Sequence, residues 1–175
     1  MLPGLTSYGS TLGLSDVPSE SSASNGQDPS LLTRHLYLDT KRLVPRAEDG
    51  LIFGGHALRR AHASGVTTAV NVPATIGMFG GVSTHFDTGA RTVLDAHSVR
   101  TSEVALHVRL AYPIDDHEPS LATQLALLRS LLRNPPPGSV EWHRVSRGEW
   151  PLVVKTNAQD TVAKLILLKL SLIHI

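Results

Sequence analysis

Ala61-His62-Ala63-Ser64-Gly65-Val66-Thr67-Thr68-Ala69-Val70-Asn71-Val72 is the stretch on which the fold turns. Its first part closes an amphipathic helix: Leu51, Ile52, Ala57, Leu58 and Ala61 recur at helical spacing, Arg59 and Arg60 fall on the other face, and Gly65 supplies the stop. Its second part, Val66 to Val72, is a β-branched run bounded by Gly65 and Pro73, which is the composition of a buried strand. Helix, tight turn and strand in that order make the αβ half of a βα unit.

Working outward, residues 6–30 are rich in Ser, Gly, Thr and Asn without apolar periodicity, and read as a long loop. After the strand, Pro73 to Gly81 carries Gly77, Gly80 and Gly81, a backbone suited to a loop folded closely around something and the best pocket wall in the sequence. Val82-Ser83-Thr84-His85-Phe86 alternates like a short strand, and Asp87-Thr88-Gly89 reads as a turn. A second core strand is expected over Glu103–Leu110, and a helix from Ser120 to Arg133 with Leu121, Leu125, Leu128 and Leu132 on one face. Pro135-Pro136-Pro137 ends that helix, because proline has no amide hydrogen to give. Pro151–Thr156 is a third strand, and from Gln159 a third helix packs through Val162, Leu165, Ile166 and Leu168. Strands alternating with helices predict a parallel sheet under helical cover.

The 175 residues, 41% hydrophobic and 18% charged, are those of a globular domain. A net charge of +1 with scattered basic residues gives no field for nucleic acid or an anionic membrane. Cysteine is absent, so disulfide and thiolate chemistry are excluded while the compartment stays open, with the cytoplasm favoured. The apolar run from Leu165 to Ile175 is too short to span a bilayer and contains Lys169 and His174. Met1-Leu2-Pro3-Gly4 has neither the basic opening nor the apolar core of a secretory signal.

Taken in order, Pro3-Gly4-Leu5, Leu12-Gly13-Leu14, Asp49-Gly50-Leu51, the Ala61–Val70 stretch, Gly80-Gly81, Ala105-Leu106-His107-Val108, Thr123–Arg129 and Pro151–Val154 resemble metal-dependent amidohydrolases of the imidazolonepropionase-like branch. The nearest look is of fungal members described as a carbohydrate esterase or deacetylase group. The resemblance implies an α/β fold, a (β/α)8 TIM barrel of which this chain holds roughly the first five βα units, so that the barrel is not closed. A closed barrel needs about 250 residues. It further implies a small-molecule substrate and a divalent ion, often zinc, held by a first-strand His-x-His, a His on each of the fifth and sixth strands and an eighth-strand Asp. Such an ion turns bound water into hydroxide. Laid onto this chain, the pattern places Gly9 and Thr11 at the two first-strand histidines and Asn157, ahead of Asp160, at the fifth-strand one. None is a usual zinc ligand, so zinc binding is expected of the family and not of this chain. Residues 1–169 are taken as the partial barrel. Leu170-Ser171-Leu172-Ile173-His174-Ile175 does not continue the pattern and reads as a non-native tail.

Among the histidines, none has the spacing that brings two imidazoles to one ion unaided. His56 and His62 lie in the first helix as surface or packing residues, whereas His107, inside a strand, is the one to test as a pocket residue. Asp115, Asp116, His117 and Glu118, beyond the second strand, suit a solvated loop entering a helix. Ser10 lacks the Gly-x-Ser-x-Gly order of a nucleophile elbow. Gly77, Gly80 and Gly81 offer backbone amides without a phosphate-binding lysine. The expected function is that of a piece of a hydrolase acting on C–N bonds other than peptide bonds, inactive on its own. The alternative is a non-catalytic barrel relative that binds a small molecule or a partner.

Overall fold

The structure, a computed structural model of the chain, describes residues 4–17, 27–28, 44–75, 77–113 and 119–173. In chain order these form β1 (Leu5–Tyr8), β2 (Gln27–Asp28), α1 (Ala47–Gly50), α2 (His56–Ala63), β3 (Val66–Asn71), β4 (Ala74–Thr75), β5 (Phe79–Val82), β6 (Thr84–Asp87), β7 (Val99–Thr101), β8 (Leu106–Arg109), α3 (Leu121–Arg133), α4 (Val140–Ser146), β9 (Leu152–Lys155) and α5 (Gln159–Ile173). Three sheets are present among the described residues, in the orders β1-β3-β6-β7, β2-β4 and β5-β8-β9. The architecture is mixed α/β, and no closed barrel is seen among the described residues.

The helix, stop and strand expected around Gly65 are observed as α2 and β3, with Gly65 at φ +92 between them. The helix itself starts later than its periodicity predicts. Gly54 at φ +77 breaks the chain, leaving α1 before it and α2 after it, so Leu51 and Ile52 are not helical. They still serve the core: Ile52 N donates to Gly13 O, and Leu51 packs against Leu58, Ala69 and Phe86. Asp16 caps α2 from far upstream, accepting from His56 N at 3.0 Å and Ala57 N at 2.7 Å. Gly55 at the cap is fitted to that role, since a Cβ there would lie 2.9 Å from Asp16 Oδ1.

The sheets are not wholly parallel. β1 runs parallel to β3, and β8 to β9, as alternation of strand and helix predicts. However, β6 is antiparallel to both β3 and β7, and β5 is antiparallel to β8. These added strands come from residues 79–101, where no helix separates one strand from the next among the described residues, and antiparallel neighbours need no helical crossover. Gly80 and Gly81, read as loop, belong to β5.

The larger core lies between β5-β8-β9 and α3, α4 and α5, with Val82, Leu106, Val108, Leu128, Trp142 and Leu168 buried. Phe79 meets Trp142 edge-on at 5.9 Å. α3 is capped as its sequence promises, Ser120 Oγ accepting from Thr123 N, but Gln124 replaces a leucine as one of its buried residues. The Gln124 amide is satisfied by the backbone of Ala111 and Pro119, which fixes the exit of β8 onto α3. The segment between the proline triplet and the third expected strand holds α4, and Arg144 both pairs with Glu103 at 2.8 Å and covers the Trp150 ring at 4.5 Å. α5 packs through Thr161, Leu165 and Leu168, while Val162 and Ile166, expected inside, are exposed. Among the described residues no helix is long and apolar enough to cross a membrane.

Candidate functional site

Strand register sorts the sheet residues into two faces. Thr6 pairs with Thr68 and Tyr8 with Val70 across β1 and β3; Val70 pairs with His85 and Thr68 with Asp87 across β3 and β6. Paired residues share a side and successive residues alternate, so Thr6, Tyr8, Thr68, Val70, His85 and Asp87 line one face. The Thr6 and Thr68 hydroxyls, 2.8 Å apart, agree with that assignment. On the opposite face Ala69 and Phe86 lie beneath α2 with Leu58. In the second sheet Leu106 and Val108 enter the larger core, which turns His107 and Arg109, and their β9 neighbours Val153 and Lys155, the other way.

The two faces that carry no helix among the described residues come together at Tyr8 and His107, whose ring centroids are 6.2 Å apart at an interplanar angle of 30°. Gly80 makes that approach possible from β5, since a Cβ there would sit 3.1 Å from His107 Cβ. The interior of a complete (β/α) barrel is filled by branched apolar side chains. This face instead presents a phenol, two imidazoles, a carboxylate and two cations, a composition of binding and proton transfer rather than of packing.

Burial sets the electrostatics. His107 is 9% exposed, and desolvation pushes its pKa down to about 4. His85 is also lowered, by burial first and by the Arg100 charge second, with Asp87 acting weakly in the opposite sense. Both imidazoles are therefore neutral at pH 7. Asp87 itself is held below the usual carboxylate range by Arg100 and the Gly89 amide, which outweigh its burial. Neither His85 Nε2 nor His107 Nε2 has a hydrogen-bond partner among the described residues, although both are shielded from solvent. An unsatisfied buried polar atom costs about 1–3 kcal/mol, so these two nitrogens are the outstanding unpaid polar groups of this face.

The structure brings together His107 and Gly80 of the sequence-derived candidates. Gly77 is half-buried in the turn before β5, and Gly81, at φ +93, packs its α-carbon against Pro45 rather than toward His107. Gly9, Thr11 and Asn157 are all exposed. Gly9 sits at φ +71, a backbone that residues with side chains rarely adopt. Ser10 has a structural part: Ser7 Oγ donates to Ser10 Oγ at 2.9 Å, and Ser10 Oγ to Asn71 Oδ1 at 3.1 Å, while the buried Asn71 amide donates to Leu12 O. This chain of bonds ties the loop after β1 to the end of β3. His62 Nδ1 lies 3.0 Å from Thr88 Oγ1 beside α2, and His56 is on the surface. Asp115, Asp116, His117 and Glu118 lie outside the described residues.

No family model matches the chain. It is 38% identical over 109 residues to the amidohydrolase tasK of Hapsidospora irregularis, a match covering 58% of this chain and 10% of that protein. Its fold matches the crystal structure of an amidohydrolase from Thermotoga maritima MSB8 with a TM-score of 0.75 at 16% identity, covering 98% of this chain and 49% of that one. The chain is amidohydrolase-like. It spans about a tenth of the length of the curated relative and about half of the solved one.

For an amidohydrolase-like chain the decisive chemical test is whether its donors fit the divalent ion that the family resemblance implies. Glycine at position 9 offers no side-chain donor, and the Thr11 hydroxyl and Asn157 amide are neutral and weak toward zinc. Among the described residues no group of three or more His, Asp or Glu side chains is placed to hold an ion. The described residues do not fit such a centre. Sequence reasoning singled out His107 as a pocket candidate; Tyr8 and His85 are brought beside it on this face only by strand register.

Proposed function

We propose that this chain is part of a hydrolase acting on carbon–nitrogen bonds other than peptide bonds, in a cyclic amide or an N-acetyl group, and that the chain alone is not catalytic. The identity of 38% over 109 residues with a protein named an amidohydrolase carries the hydrolase reading. The inactivity rests on the side chains at positions 9, 11 and 157, which supply no imidazole. On this reading residues 1–169 are roughly the first five βα units of an unclosed barrel, and 170–175 are a non-native tail.

Assay of the purified chain with added zinc or manganese on cyclic amides and N-acetyl sugars tests the proposal. No turnover is expected. Metal-dependent turnover abolished by a chelator would overturn the inactivity. A second reading, a barrel relative that binds without catalysing, is favoured by the neutral His107, whose buried Nε2 has no hydrogen-bond partner among the described residues. Metal content separates the two. A longer natural form that purifies with a tightly held ion supports the hydrolase, and one that is metal-free yet binds small molecules supports the binding protein.

A further inference from the structure

Residues 79–87 and 99–109 form one antiparallel ribbon that is split between two sheets. Val82 pairs with Leu106 and His85 with Thr101, so three residue steps on one strand face five on the other. The surplus lies in a bulge at residues 102–104, beside which Ser83 N donates to Ala105 O at 3.0 Å and Val104 N to Ser83 O at 2.9 Å. A bulge bends its strand and re-aims a side chain, and the carboxylate carried on this one is Glu103.

Two guanidiniums from distant parts of the chain meet that carboxylate. Arg144 of α4 holds Oε2 at 2.8 Å, and Arg46, just before α1, holds Oε1 at 2.9 Å. The two sides are not equally fixed. Arg144 is backed by the Trp150 ring at 4.5 Å, and the Trp150 indole donates to Glu103 O at 3.4 Å. Arg46 also reaches Glu141, at the longer distance of 3.8 Å, and 42% of its side chain is exposed. The backbone around Arg46 lies along the outer edge of β5: Val82 N donates to Pro45 O at 2.8 Å, Arg46 forms a parallel bridge to Val82, and Val44 packs on the larger core. Further on, Leu51 enters the smaller core. Residues 44–47 are thus a strap that leads from one core to the other and covers an edge strand.

We propose that Glu103 is the catch of an ionic latch: while Arg46 is paired with it, the strap is held shut on β5, and breaking that pair lets the strap lift while both cores stay folded. Glu103, Arg144 and Trp150 form the fixed half, and Arg46 is the bolt. Ion pairs at this exposure are weakened by salt, so ionic strength is the physical control. Opening frees the Val82 amide and the edge of β5. The latch works in this way whether or not the complete protein hydrolyses anything.

Amide hydrogen exchange of the purified chain, followed residue by residue by NMR, reads the latch directly. The reporter is Val82 N, which bonds to the strap, and the reference is Leu106 N, which donates to Pro151 O at 3.0 Å beside β9. Glu103→Gln and Arg46→Gln should each speed exchange at Val82 by about 3- to 10-fold and leave Leu106 unchanged. The double variant should exceed either single one by no more than about 2-fold, because both changes break the same pair. Raising salt to about 1 M, where the screening length is about 3 Å, should speed exchange at Val82 in the parent chain and not in Glu103→Gln. The salt series on the parent needs no substitution and stays decisive where a variant fails to fold. Exchange at Val82 in the parent that ignores salt, equal exchange in the parent and Glu103→Gln, or a rise shared by Leu106 would each overturn the proposal.

Discussion

Asp16 accepts two amide hydrogens at the start of α2 from 41 residues before Ala57, and these bonds, from Ala57 and from His56, hold its pKa below the ordinary value. A carboxylate whose folded pKa is depressed stabilises the fold above its unfolded pKa and loses that contribution as pH falls through the folded one. Asp16→Asn should therefore lower the thermal midpoint at pH 7 and flatten the loss of stability below about pH 4. Thermal unfolding followed by circular dichroism at a series of pH values reads both effects. His107 acts in a different window. Its folded pKa of about 4 lies below the unfolded 6.5, so the unfolded chain binds the extra proton between those values, and stability is full above 6.5 and falls as pH drops toward 4. The loss amounts to at most about 3 kcal/mol, and less where solvent screens the ring. Urea midpoints at pH 7 and pH 4.5 should differ less in His107→Gln than in the parent; an unchanged difference would remove His107 as the source.

At the scale of elements, Gly81 shows how tightly β5 is fitted. It lies at φ +93 and faces the Pro45 carbonyl, while its neighbour Val82 N donates to that same oxygen at 2.8 Å. Gly81→Ala should cost more than about 1 kcal/mol, from the backbone alone, with a further penalty as Pro45 is pushed away. A stability change within error in a denaturant titration would show that the segment yields freely. This element also marks where sequence reading stops. β3 and α3 were legible because a β-branched run and a leucine stripe each have one period and one outcome. Within residues 79–101, β6 was anticipated by the alternation of Val82–Phe86, but β5 and β7 were not, since glycine and polar residues in short segments suit a loop equally well until a partner strand is found. α5 was legible as a helix but not in its facing: Leu165-Ile166-Leu167-Leu168 is apolar all round, so periodicity cannot choose, and the protein buries Thr161 and Leu168 instead of Val162 and Ile166. The same limit applies to the candidate site. His107 stands out as an imidazole inside an apolar strand, whereas Tyr8 and His85 join it only through pairings such as Tyr8↔Val70 and Val70↔His85.

The whole molecule carries two complementary deficits. β1 is an edge strand whose Leu5 is 62% exposed, and β9 is an edge strand in the second sheet. Next to β9, α5 exposes Val162, Ile166, Leu167 and Leu170, positions that follow helical spacing and form one apolar stripe. Unpaired edges and apolar stripes of this kind drive association. Covering a half-exposed leucine or isoleucine gains roughly 1 kcal/mol, so the stripe alone supplies several kcal/mol, enough for weak but measurable self-association once the open edges pair. The 175-residue chain should therefore run as a concentration-dependent oligomer in light scattering from micromolar to near-millimolar protein. Ile166→Lys with Leu170→Lys, which leaves buried Leu168 untouched, should shift it toward monomer without unfolding it. A parent chain that stays monomeric over that range would show that the stripe is too weakly apolar to hold a partner, and the open edges would then be tolerated by the isolated domain.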